Sequence, residues 1–291
     1  MKLTIMVGVP GSGKSTKAKA MAQSEGNTIL VSRDDIRAML FPEIRYKFTS
    51  QKEKLVTEAE NLTVTNALMM GKNVIVHDTN LKTIVRTRWQ QMAKDCGAEY
   101  REVYVDCHIK DLLSRNLVRG NEALPVSRIW EMFEQYRRVR GWVPAIEKAD
   151  PTKPKCVIFD VDGTLTKIGN RSPYDFSKVI NDPPNLPVQE LFRMYKAAGY
   201  ACIVVSGRQG TLQCFNDTCE SLVRTGVPLD DGIFMREEDD HRPDFDVKEQ
   251  ILLEKILDKF YPVLAVDDRD TPTGMWRMNG IPCFQVGYGD F

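Results

Sequence analysis

The sequence lacks three features that would narrow its class: a long apolar run, paired cysteines and a net charge. No apolar stretch approaches the roughly 20 residues that a helix needs to cross a bilayer, and no basic segment followed by an apolar one resembles a secretion signal. The seven cysteines are odd in number and include no C-x-x-C pair, which indicates reduced thiols and argues against a zinc site. We therefore expect a cytoplasmic protein without a membrane partner.

The zero net charge hides a difference between the two halves of the chain. Residues 1–148 hold 24 Lys and Arg against 17 Asp and Glu, whereas residues 149–291 hold 16 against 23. A basic half favours a polyanionic partner, and an acidic half with clustered carboxylates favours divalent cations. With 291 residues, 42% of them hydrophobic, the chain is long enough for two globular domains.

A proline-containing segment marks the predicted boundary between these domains. Residues 149–154, A-D-P-T-K-P, hold two prolines and predict a short, stiff linker. We therefore expect one domain over residues 1–148 and a second over residues 155–291. Short apolar strands alternate with helical segments on both sides of the linker, which predicts two α/β domains with parallel sheets.

The most informative stretch is C-V-I-F-D-V-D-G-T-L, at residues 156–165. An apolar run ends in Asp160, and Asp162 follows two residues later. Period-two geometry puts both carboxylates on the same side where the strand ends, so one can attack a substrate while the other moves protons. A buried carboxylate pair needs a cation or a chemical purpose. The alternative is a polar turn after a strand.

Candidate phosphate-binding groups occur in two later segments. A second apolar strand ends in Ser206, Gly207 and Arg208, where the hydroxyl and the backbone N–H groups would donate to phosphate oxygens. Ser before Gly is also common turn chemistry. Residues 167–187 read as a loop that holds Arg171, which either contacts substrate phosphate or is an ordinary surface arginine.

The last predicted strand brings acids to the same edge of the sheet. It ends in Asp267 and Asp268, which together with Asp160 and Asp162 would bind Mg²⁺, a cation that prefers carboxylate oxygen. Lys248 lies near a predicted helix start, where a cation is disfavoured unless it has an anionic partner. The aspartates and the phosphate of a substrate would supply that partner.

The N-terminal half opens with a phosphate-binding motif. An apolar strand at residues 3–7 runs into G-V-P-G-S-G-K-S, which matches G-x-x-x-x-G-K-[ST] and precedes a predicted helix. The glycines allow backbone N–H groups to wrap the triphosphate of ATP, while the lysine reaches the β and γ phosphates and the serine hydroxyl ligates Mg²⁺. The predicted nucleotide-binding residues are Gly8, Gly11, Ser12, Gly13, Lys14, Ser15 and Thr16.

Polar groups follow the next two predicted strands. Asp34 could accept the proton of an attacking hydroxyl, and Arg37, one helical turn later, could hold a phosphate of the acceptor. Both lie beyond the carboxyl end of a parallel strand, where ligands collect. The alternative is a solvated helix start. Asp78 is likewise either a site residue or a cap for the helix that begins near Lys82.

Two arginines near residue 117 predict a lid over the nucleotide. The segment L-L-S-R-N-L-V-R-G puts Arg115 and Arg119 four residues apart on one helical face, where like charges repel unless an anion lies between them. An arginine over a transferring phosphoryl group meets this requirement. A solvated helix face is the alternative.

Several other residues have no predicted chemistry. Residues 50–70 read as a helix whose core-facing positions are predicted to be Leu55, Ala59, Leu62 and Leu68. The histidines share no ligand spacing, so we expect them to be structural or solvated. These histidines are His77, His108 and His241.

The complete set of motifs resembles that of a known enzyme family. G-x-P-G-S-G-K-S-T, R-D-D-x-R, D-T-N-L and R-N-x-x-R-G are followed by D-V-D-G-T-L, V-V-S-G-R, D-V-K-E and D-D-R. In this order and over nearly the whole chain, they are similar to the bifunctional polynucleotide kinase/phosphatases of T-even bacteriophages. The resemblance implies a P-loop kinase with a parallel sheet, joined to a Rossmann-like phosphatase of the haloacid dehalogenase superfamily. Residues 210–227 depart most from the family.

The resemblance also implies roles for individual residues. In the kinase, Lys14 and Ser15 bind ATP and Mg²⁺. Asp34 is the general base, and Arg37 holds the acceptor. Arg119 stabilises the transition state, and Asp78 is an acid that supports the site. In the phosphatase, Asp160 is the nucleophile and Asp162 is the acid and base. Ser206 and Lys248 hold the phosphate, and Asp267 and Asp268 are the acids on the metal side. Arg171 and Arg208 match two further arginines of the family.

The function implied by the resemblance is the repair of nucleic-acid ends. One site would transfer the γ-phosphoryl group of ATP to 5′-hydroxyl ends of RNA or DNA, and the other would hydrolyse 3′-phosphate or 2′,3′-cyclic phosphate ends. An RNA ligase as partner, a homotetramer and a location in the host cytoplasm are implied as well. Two alternatives are a small-molecule kinase fused to a metabolite phosphatase, and a nucleic-acid-binding module whose sites have decayed.

Overall fold

Each half of the chain is built on its own parallel β-sheet, as predicted. The computed structural model describes residues 1–42, 46–120 and 123–287. The chain divides into two units, Met1–Trp142 and Val143–Phe291, and every strand pair in the two sheets is parallel. Among the described residues, none of the helices has the length and hydropathy to span a bilayer. The C-terminal residues Gly289 to Phe291, to which the family resemblance extends, lie outside the described part.

The division between the units falls six residues before the predicted end of the first domain. Helix α7 (Ala145–Lys148) belongs to the second unit. Its Ile146 N–H donates to the Asn279 carbonyl at 3.1 Å, and the Ile146 side chain lies against Gly280. These contacts form between residues far apart in the sequence, so the proline-based boundary did not reveal them.

The first unit has a four-stranded sheet with the order β2-β3-β1-β4. Its strands are β1 (Lys2–Val7), β2 (Thr28–Val31), β3 (Asn73–Val76) and β4 (Glu99–Tyr104). Its helices are α1 (Lys14–Glu25), α2 (Arg33–Leu40), α3 (Ser50–Met69), α4 (Thr83–Asp95), α5 (Ile109–Leu117) and α6 (Val126–Val139). Strand β1 is central and buried on both faces, which explains its unbroken apolar sequence.

The second unit has a five-stranded sheet with the order β7-β6-β5-β8-β9. Its strands are β5 (Lys155–Phe159), β6 (Ala201–Gln209), β7 (Ile233–Arg236), β8 (Tyr261–Asp267) and β9 (Cys283–Gln285). Beyond α7, its helices are α8 (Leu186–Ala197), α9 (Leu212–Arg224), α10 (Asp244–Ile251) and α11 (Asp270–Met278), with a 3₁₀ helix at Phe176–Asn181 and a π-helical turn at Leu252–Ile256.

The order of these strands positions the catalytic candidates. Strand β5 lies between β6 and β8, and its apolar residues Val157 and Phe159 are fully buried in the core cluster. Because the three strands are parallel, their carboxyl ends meet at one edge of the sheet. Asp160, Ser206 and Asp267 are therefore brought together although more than 100 residues separate the first from the last.

Helix α3 buries a different face from the predicted one. Leu68 is buried as expected, but Leu55 and Leu62 are 49% and 62% exposed. The buried face instead carries Val56, Glu60 and Val64. The prediction assumed that the inner face of α3 holds only apolar residues. Because Glu60 lies in that face, the spacing of the apolar residues indicated the wrong face.

Candidate active sites

The loop between β1 and α1 adopts a conformation that requires glycine. Gly11 and Gly13 have φ angles of 83° and 97°, in the left-handed region that side chains disfavour. At Gly8, a Cβ atom would lie 2.8 Å from Ser12 Oγ and 3.1 Å from the Val105 carbonyl oxygen. The predicted phosphate-binding loop is therefore formed, with Lys14 as the first residue of α1.

The side chain of Lys14 is folded into this loop. Its Nζ donates to the Val9 carbonyl at 2.8 Å, and the side chain is buried. Burial lowers the pKa of Lys14 to about 8, although the nearby carboxylates of Asp78 and Asp34 act in the opposite direction. The ammonium group is thus a partly desolvated cation, which an anionic ligand would stabilise.

The predicted nucleotide-binding residues line one cavity of about 870 Å³. The predicted site residues in the lining of this cavity are Gly11, Ser12, Gly13, Lys14, Ser15, Thr16, Arg115 and Arg119. Arg115 also donates from Nη1 to the Gly11 carbonyl at 2.9 Å, which joins α5 to the loop. Gly8 is not in the lining of this cavity. Its lack of a side chain allows Ser12 and Val105 to approach closely. The cavity has the cationic walls that a triphosphate needs.

His77 contacts this loop, which the sequence did not predict. Its Nδ1 lies 3.2 Å from Ser15 Oγ, and its Nε2 lies 3.9 Å from Asp35 Oδ2. Burial lowers the pKa of the imidazole. The expectation of a structural or solvated histidine was therefore incomplete. Its position at the end of β3, next to β1 in the sheet, was the signal that could have revealed the contact.

Helix α2 presents Asp34 in its first turn and Arg37 in the next, and Glu53 from α3 binds Arg37. The first turn is a capped helix start, because the Asp35 N–H donates to Ser32 Oγ at 3.1 Å. Asp34 is 88% exposed and accepts a bond from Arg37 Nη1 at 2.7 Å. Arg37 also donates to both carboxylate oxygens of Glu53, at 2.9 and 2.8 Å. These bonds hold the pKa of Glu53 at about 2.

Asp78 contacts α2 and not the helix it was suggested to cap. Its Oδ1 accepts the Arg33 N–H at 2.9 Å. Helix α4, which follows Lys82, has no side-chain cap, so that alternative is wrong. Burial and the neighbouring carboxyl of Glu60 raise the pKa of Asp78 to about 8. Asp78 is thus a half-buried acid with a buried Oδ2, between the phosphate-binding loop and α2.

In the second unit, three buried acids form a candidate metal site. Asp160, Asp267 and Asp268 each offer a carboxylate oxygen, and these oxygens lie within 4.8 Å of one another. Burial, followed by the neighbouring acids, raises the pKa of Asp268 to about 8. Its Oδ1 is buried and has no hydrogen-bond partner among the described residues. A hard divalent cation fits this donor set, because it would satisfy the open oxygen and offset the shared negative charge.

Lys248 lies against these acids. Its fully buried Nζ is 2.8 Å from Asp160 Oδ1, 2.8 Å from Asp267 Oδ2 and 3.2 Å from Asp244 Oδ2. The predicted anionic partners are therefore present, and Asp244, four residues earlier on α10, is a further one that the sequence did not reveal. Burial raises the pKa of Asp160 to about 6, while Lys248 opposes this increase. Trp276 adds a bond from Nε1 to Asp267 Oδ2 at 3.1 Å.

Asp162, which was predicted to bind the metal together with the other three aspartates, lies outside their cluster. Arg208 Nε donates to Asp162 Oδ2 at 2.8 Å, and Arg171 Nη2 donates to Oδ1 at 2.5 Å. Although burial acts in the opposite direction, the two guanidinium groups lower the pKa of Asp162. The period-two spacing placed the carboxylate at the correct edge but did not show which charges would surround it.

Arg171 and Arg208 are both bound by a second carboxylate, Asp182. Arg171 Nε and Arg208 Nη2 each donate to Asp182 at 2.8 Å. The alternative of an ordinary surface arginine is wrong for Arg171, since its side chain is buried. Both guanidiniums are engaged by carboxylates in this structure, and their predicted contact with substrate phosphate stays a prediction. Asp182 lies in the polar loop region, where the sequence showed no signal for it.

The phosphate-binding candidates on β6 are held in place by close packing. Ser206 is fully buried, and its Oγ accepts the Arg208 N–H at 3.2 Å. At Gly207, a Cβ would lie 1.9 Å from Asp244 Oδ1, so only glycine fits. Asp160, Asp162, Gly207 and Arg208 open on a cavity of about 470 Å³. The catalytic candidates of the second unit therefore share one pocket.

Comparison with known proteins identifies a related family for each half of the chain. Residues 154–291 match the polynucleotide kinase PNKP phosphatase domain, and residues 3–139 match an AAA domain. The chain is 29% identical over 294 residues to a protein of Autographa californica nuclear polyhedrosis virus proposed to be a bifunctional polynucleotide kinase/RNA ligase. This match covers 97% of this chain and 42% of that protein.

Two further similarities cover different parts of the chain. An L-seryl-tRNA(Sec) kinase of Methanococcus maripaludis is 32% identical over 138 residues, which are 46% of this chain and 52% of that protein. The chain thus spans about half the length of both relatives. A solved structure of a Pnkp1/Rnl/Hen1 complex contains a chain with 31% identity and a TM-score of 0.48, matched over 100% of this chain and 97% of that one.

Proposed function

We propose that the chain is a bifunctional enzyme that repairs nucleic-acid ends. The premise is that residues 154–291 match the polynucleotide kinase PNKP phosphatase domain and residues 3–139 match an AAA domain. One site transfers the γ-phosphoryl group of ATP to 5′-hydroxyl ends of RNA or DNA. The other hydrolyses 3′-phosphate and 2′,3′-cyclic phosphate ends. The observation that carries the proposal is the presence, in one chain, of a loop folded around Lys14 and an acid cluster around Lys248.

The kinase site acts mainly by positioning and by neutralising charge. ATP supplies the phosphoryl group. The loop amides, Lys14 and Arg115 would hold its phosphates, and the Ser15 hydroxyl would ligate Mg²⁺. Asp34, which is exposed and held by Arg37, accepts the proton of the 5′-hydroxyl. Arg119, in the lining of the same cavity, stabilises the negative charge of the transition state.

The phosphatase site uses Asp160 as its nucleophile. Its carboxylate attacks the phosphorus of a 3′-phosphate, the bond to the 3′-oxygen breaks, and an aspartyl-phosphate forms. Asp162 gives a proton to the leaving oxygen and then takes one from the water that hydrolyses the intermediate. Arg171 and Arg208 favour ionised Asp162, so in the free enzyme this residue is prepared for the second of these steps.

A divalent cation belongs to this second site. Asp160, Asp267 and Asp268 would hold it, and we propose that it is Mg²⁺, since their oxygens suit a hard cation. When bound, the cation neutralises charge on the phosphate and on the acids. Lys248 and the backbone near Ser206 hold the remaining phosphate oxygens.

The proposal extends to partners and location. The virus relative combines a kinase with an RNA ligase in its name, which supports an RNA ligase as the partner that joins the repaired ends. All seven cysteines are free thiols, as expected of a protein in the reducing cytoplasm of a cell, here that of a host. A homotetramer is proposed from the family resemblance.

Matched acceptors and two variants test the proposal. With labelled ATP, we expect transfer to 5′-hydroxyl RNA and DNA but not to free sugars, and 5′-hydroxyl oligonucleotides should compete with any small acceptor. Asp160→Asn should abolish release of 3′-phosphate and leave phosphoryl transfer intact, and Lys14→Ala should do the reverse. Transfer to sugars alone would favour the small-molecule kinase, and loss of both activities in either variant would argue against independent sites.

A further inference from the structure

Glu60 is a fully buried acid on the inner face of α3. Its Oε2 accepts bonds from Arg33 Nη1 and Arg88 Nη2, both at 3.1 Å. A carboxylate removed from water requires partners of this kind. Its other oxygen, Oε1, is buried and has no hydrogen-bond donor among the described residues. One buried oxygen of Glu60 is therefore left without a donor in the described part of the chain.

A second acid, Asp78, neighbours Glu60. Both acids bind Arg33, and the carboxyl of Glu60 is one of the groups that raise the pKa of Asp78. Asp78 Oδ2, like Glu60 Oε1, is buried without a donor among the described residues. Two ionised carboxylates are acceptors only, so a bond between them requires a proton. Like charges so close cannot both be ionised at low cost. The elevated pKa of Asp78, at about 8, agrees with a retained proton.

This carboxyl pair holds Arg33 at two points. The Arg33 N–H donates to Asp78 Oδ1 at 2.9 Å, and its guanidinium donates to Glu60 Oε2. Arg33 is the first residue of α2, so the pair fixes the direction in which this helix leaves the sheet. The same helix carries Asp34, the proposed base, in this turn and Arg37, the proposed acceptor-binding residue, in the next.

We propose that Glu60 is a positioning residue of the kinase site, which shares one proton with Asp78 and so fixes the first turn of α2 against the end of β3. The activity part of this inference rests on the proposed kinase function. Charged groups face the pair from each neighbouring element: Lys14 from α1, Arg33 and Asp34 from α2, and Arg88 from α4. Loss of the shared proton would set two anions against each other and displace the start of the helix that carries Asp34 and Arg37.

Substitution by an amide separates this role from simple packing. In Glu60→Gln, the amide N–H₂ can donate to ionised Asp78 while the amide oxygen accepts from Arg33 and Arg88, so no shared proton is needed. We expect the KM for a 5′-hydroxyl oligonucleotide to stay within about threefold of the parent value. Glu60→Ala leaves Asp78 and the arginines without their partner, and should raise that KM by about tenfold or more.

Internal and matched controls accompany these kinetics. The KM for ATP and the phosphatase activity of the same protein should change less than about twofold, because the loop around Lys14 and the second unit are not held by Glu60. Glu58→Ala, at an exposed position on the same helix, should change none of these quantities. A Gln variant as impaired as the Ala variant, or an Ala variant with an unchanged oligonucleotide KM, would overturn the inference.

Carboxyl ¹³C NMR tests the shared proton without any substrate. We expect the Asp78 resonance of the full chain to titrate near pH 8, and in Glu60→Gln to move back towards the ordinary value of 3.8. Titration of Asp78 near its ordinary value in the parent protein would refute the shared proton, whatever the kinetics show. Absence of transfer to any polynucleotide would instead refute the proposed function, while the NMR result would still decide on the proton.

Discussion

Removal of the buried charge at Lys248 should inactivate the phosphatase site and leave the kinase site active. Lys248 Nζ contacts Asp160 and Asp267 at 2.8 Å and Asp244 at 3.2 Å. Methionine has a similar length and no charge, so Lys248→Met removes the cation with little change in volume. The pKa of Asp160, already raised to about 6 by burial, should rise further because Lys248 is the group that opposes this increase.

The size of the effect follows from the burial of the pair. Removal of one partner from a buried ion pair costs about 3–5 kcal/mol, because the remaining charge is left without compensation. About 3 kcal/mol corresponds to about two pKa units. A rise of that size would leave Asp160 mostly protonated at neutral pH, and a protonated carboxyl is a poor nucleophile. At pH 7 this rise lowers the ionised fraction of Asp160 by about tenfold. The lost hydrogen bond from Lys248 to the substrate phosphate, about 1.5–3 kcal/mol, lowers the rate by about a further tenfold or more. We therefore expect the release of 3′-phosphate to fall by about 100-fold or more.

The assay compares both activities in one preparation. Phosphate release from a 3′-phosphorylated oligonucleotide and transfer to a 5′-hydroxyl oligonucleotide are measured together, with thermal unfolding with and without Mg²⁺. Lys255→Met, which removes an exposed lysine on the following turn, should change neither activity. Retention of more than about a tenth of the phosphatase rate in Lys248→Met would refute the proposal that Lys248 keeps Asp160 ionised, because loss of that charge should protonate the nucleophile.

Two further substitutions test the geometry of each unit. In Gly163→Ala the new Cβ would lie 2.1 Å from Asp268 Oδ2, so phosphatase activity should be lost. The control Gly199→Ala has a similar positive φ and no atom within 4 Å, so it should cost only about 1–2 kcal/mol of stability. Equal phosphatase activity in the two variants would contradict the proposed steric clash at Gly163. Hydrogen bonds from Arg37 lower the pKa of Glu53 from 4.5 to about 2, so the stability that this group contributes is present above pH 4.5 and is lost as pH falls towards 2. The free energy of unfolding, measured with denaturant between pH 2 and 4.5, should depend less on pH in Glu53→Gln than in the parent protein. An unchanged pH dependence would contradict the assigned role of Glu53.

Local motifs were predicted well because their geometry depends on residues that are adjacent in the chain. The loop at residues 8–15 needs left-handed backbone at Gly11 and Gly13, and the sequence supplies glycine at both places. The carboxylates that end β5 and β8 follow apolar strands that can only be central in a sheet, so their meeting at one edge was predictable. The parallel fold of both units followed from the same strand pattern.

The sequence by itself determined which backbone segments form the predicted anion-binding loops and which acids end the buried strands. The tertiary structure alone decided which charges surround those groups: Glu60 beside Asp78, and Asp182 beside the arginines that hold Asp162. It also decided that α3 turns Glu60 inward and leaves Leu55 exposed. The physical reason is that a buried charge is tolerated only where packing brings an opposite charge or a proton to it, and that partner stands far away in the chain.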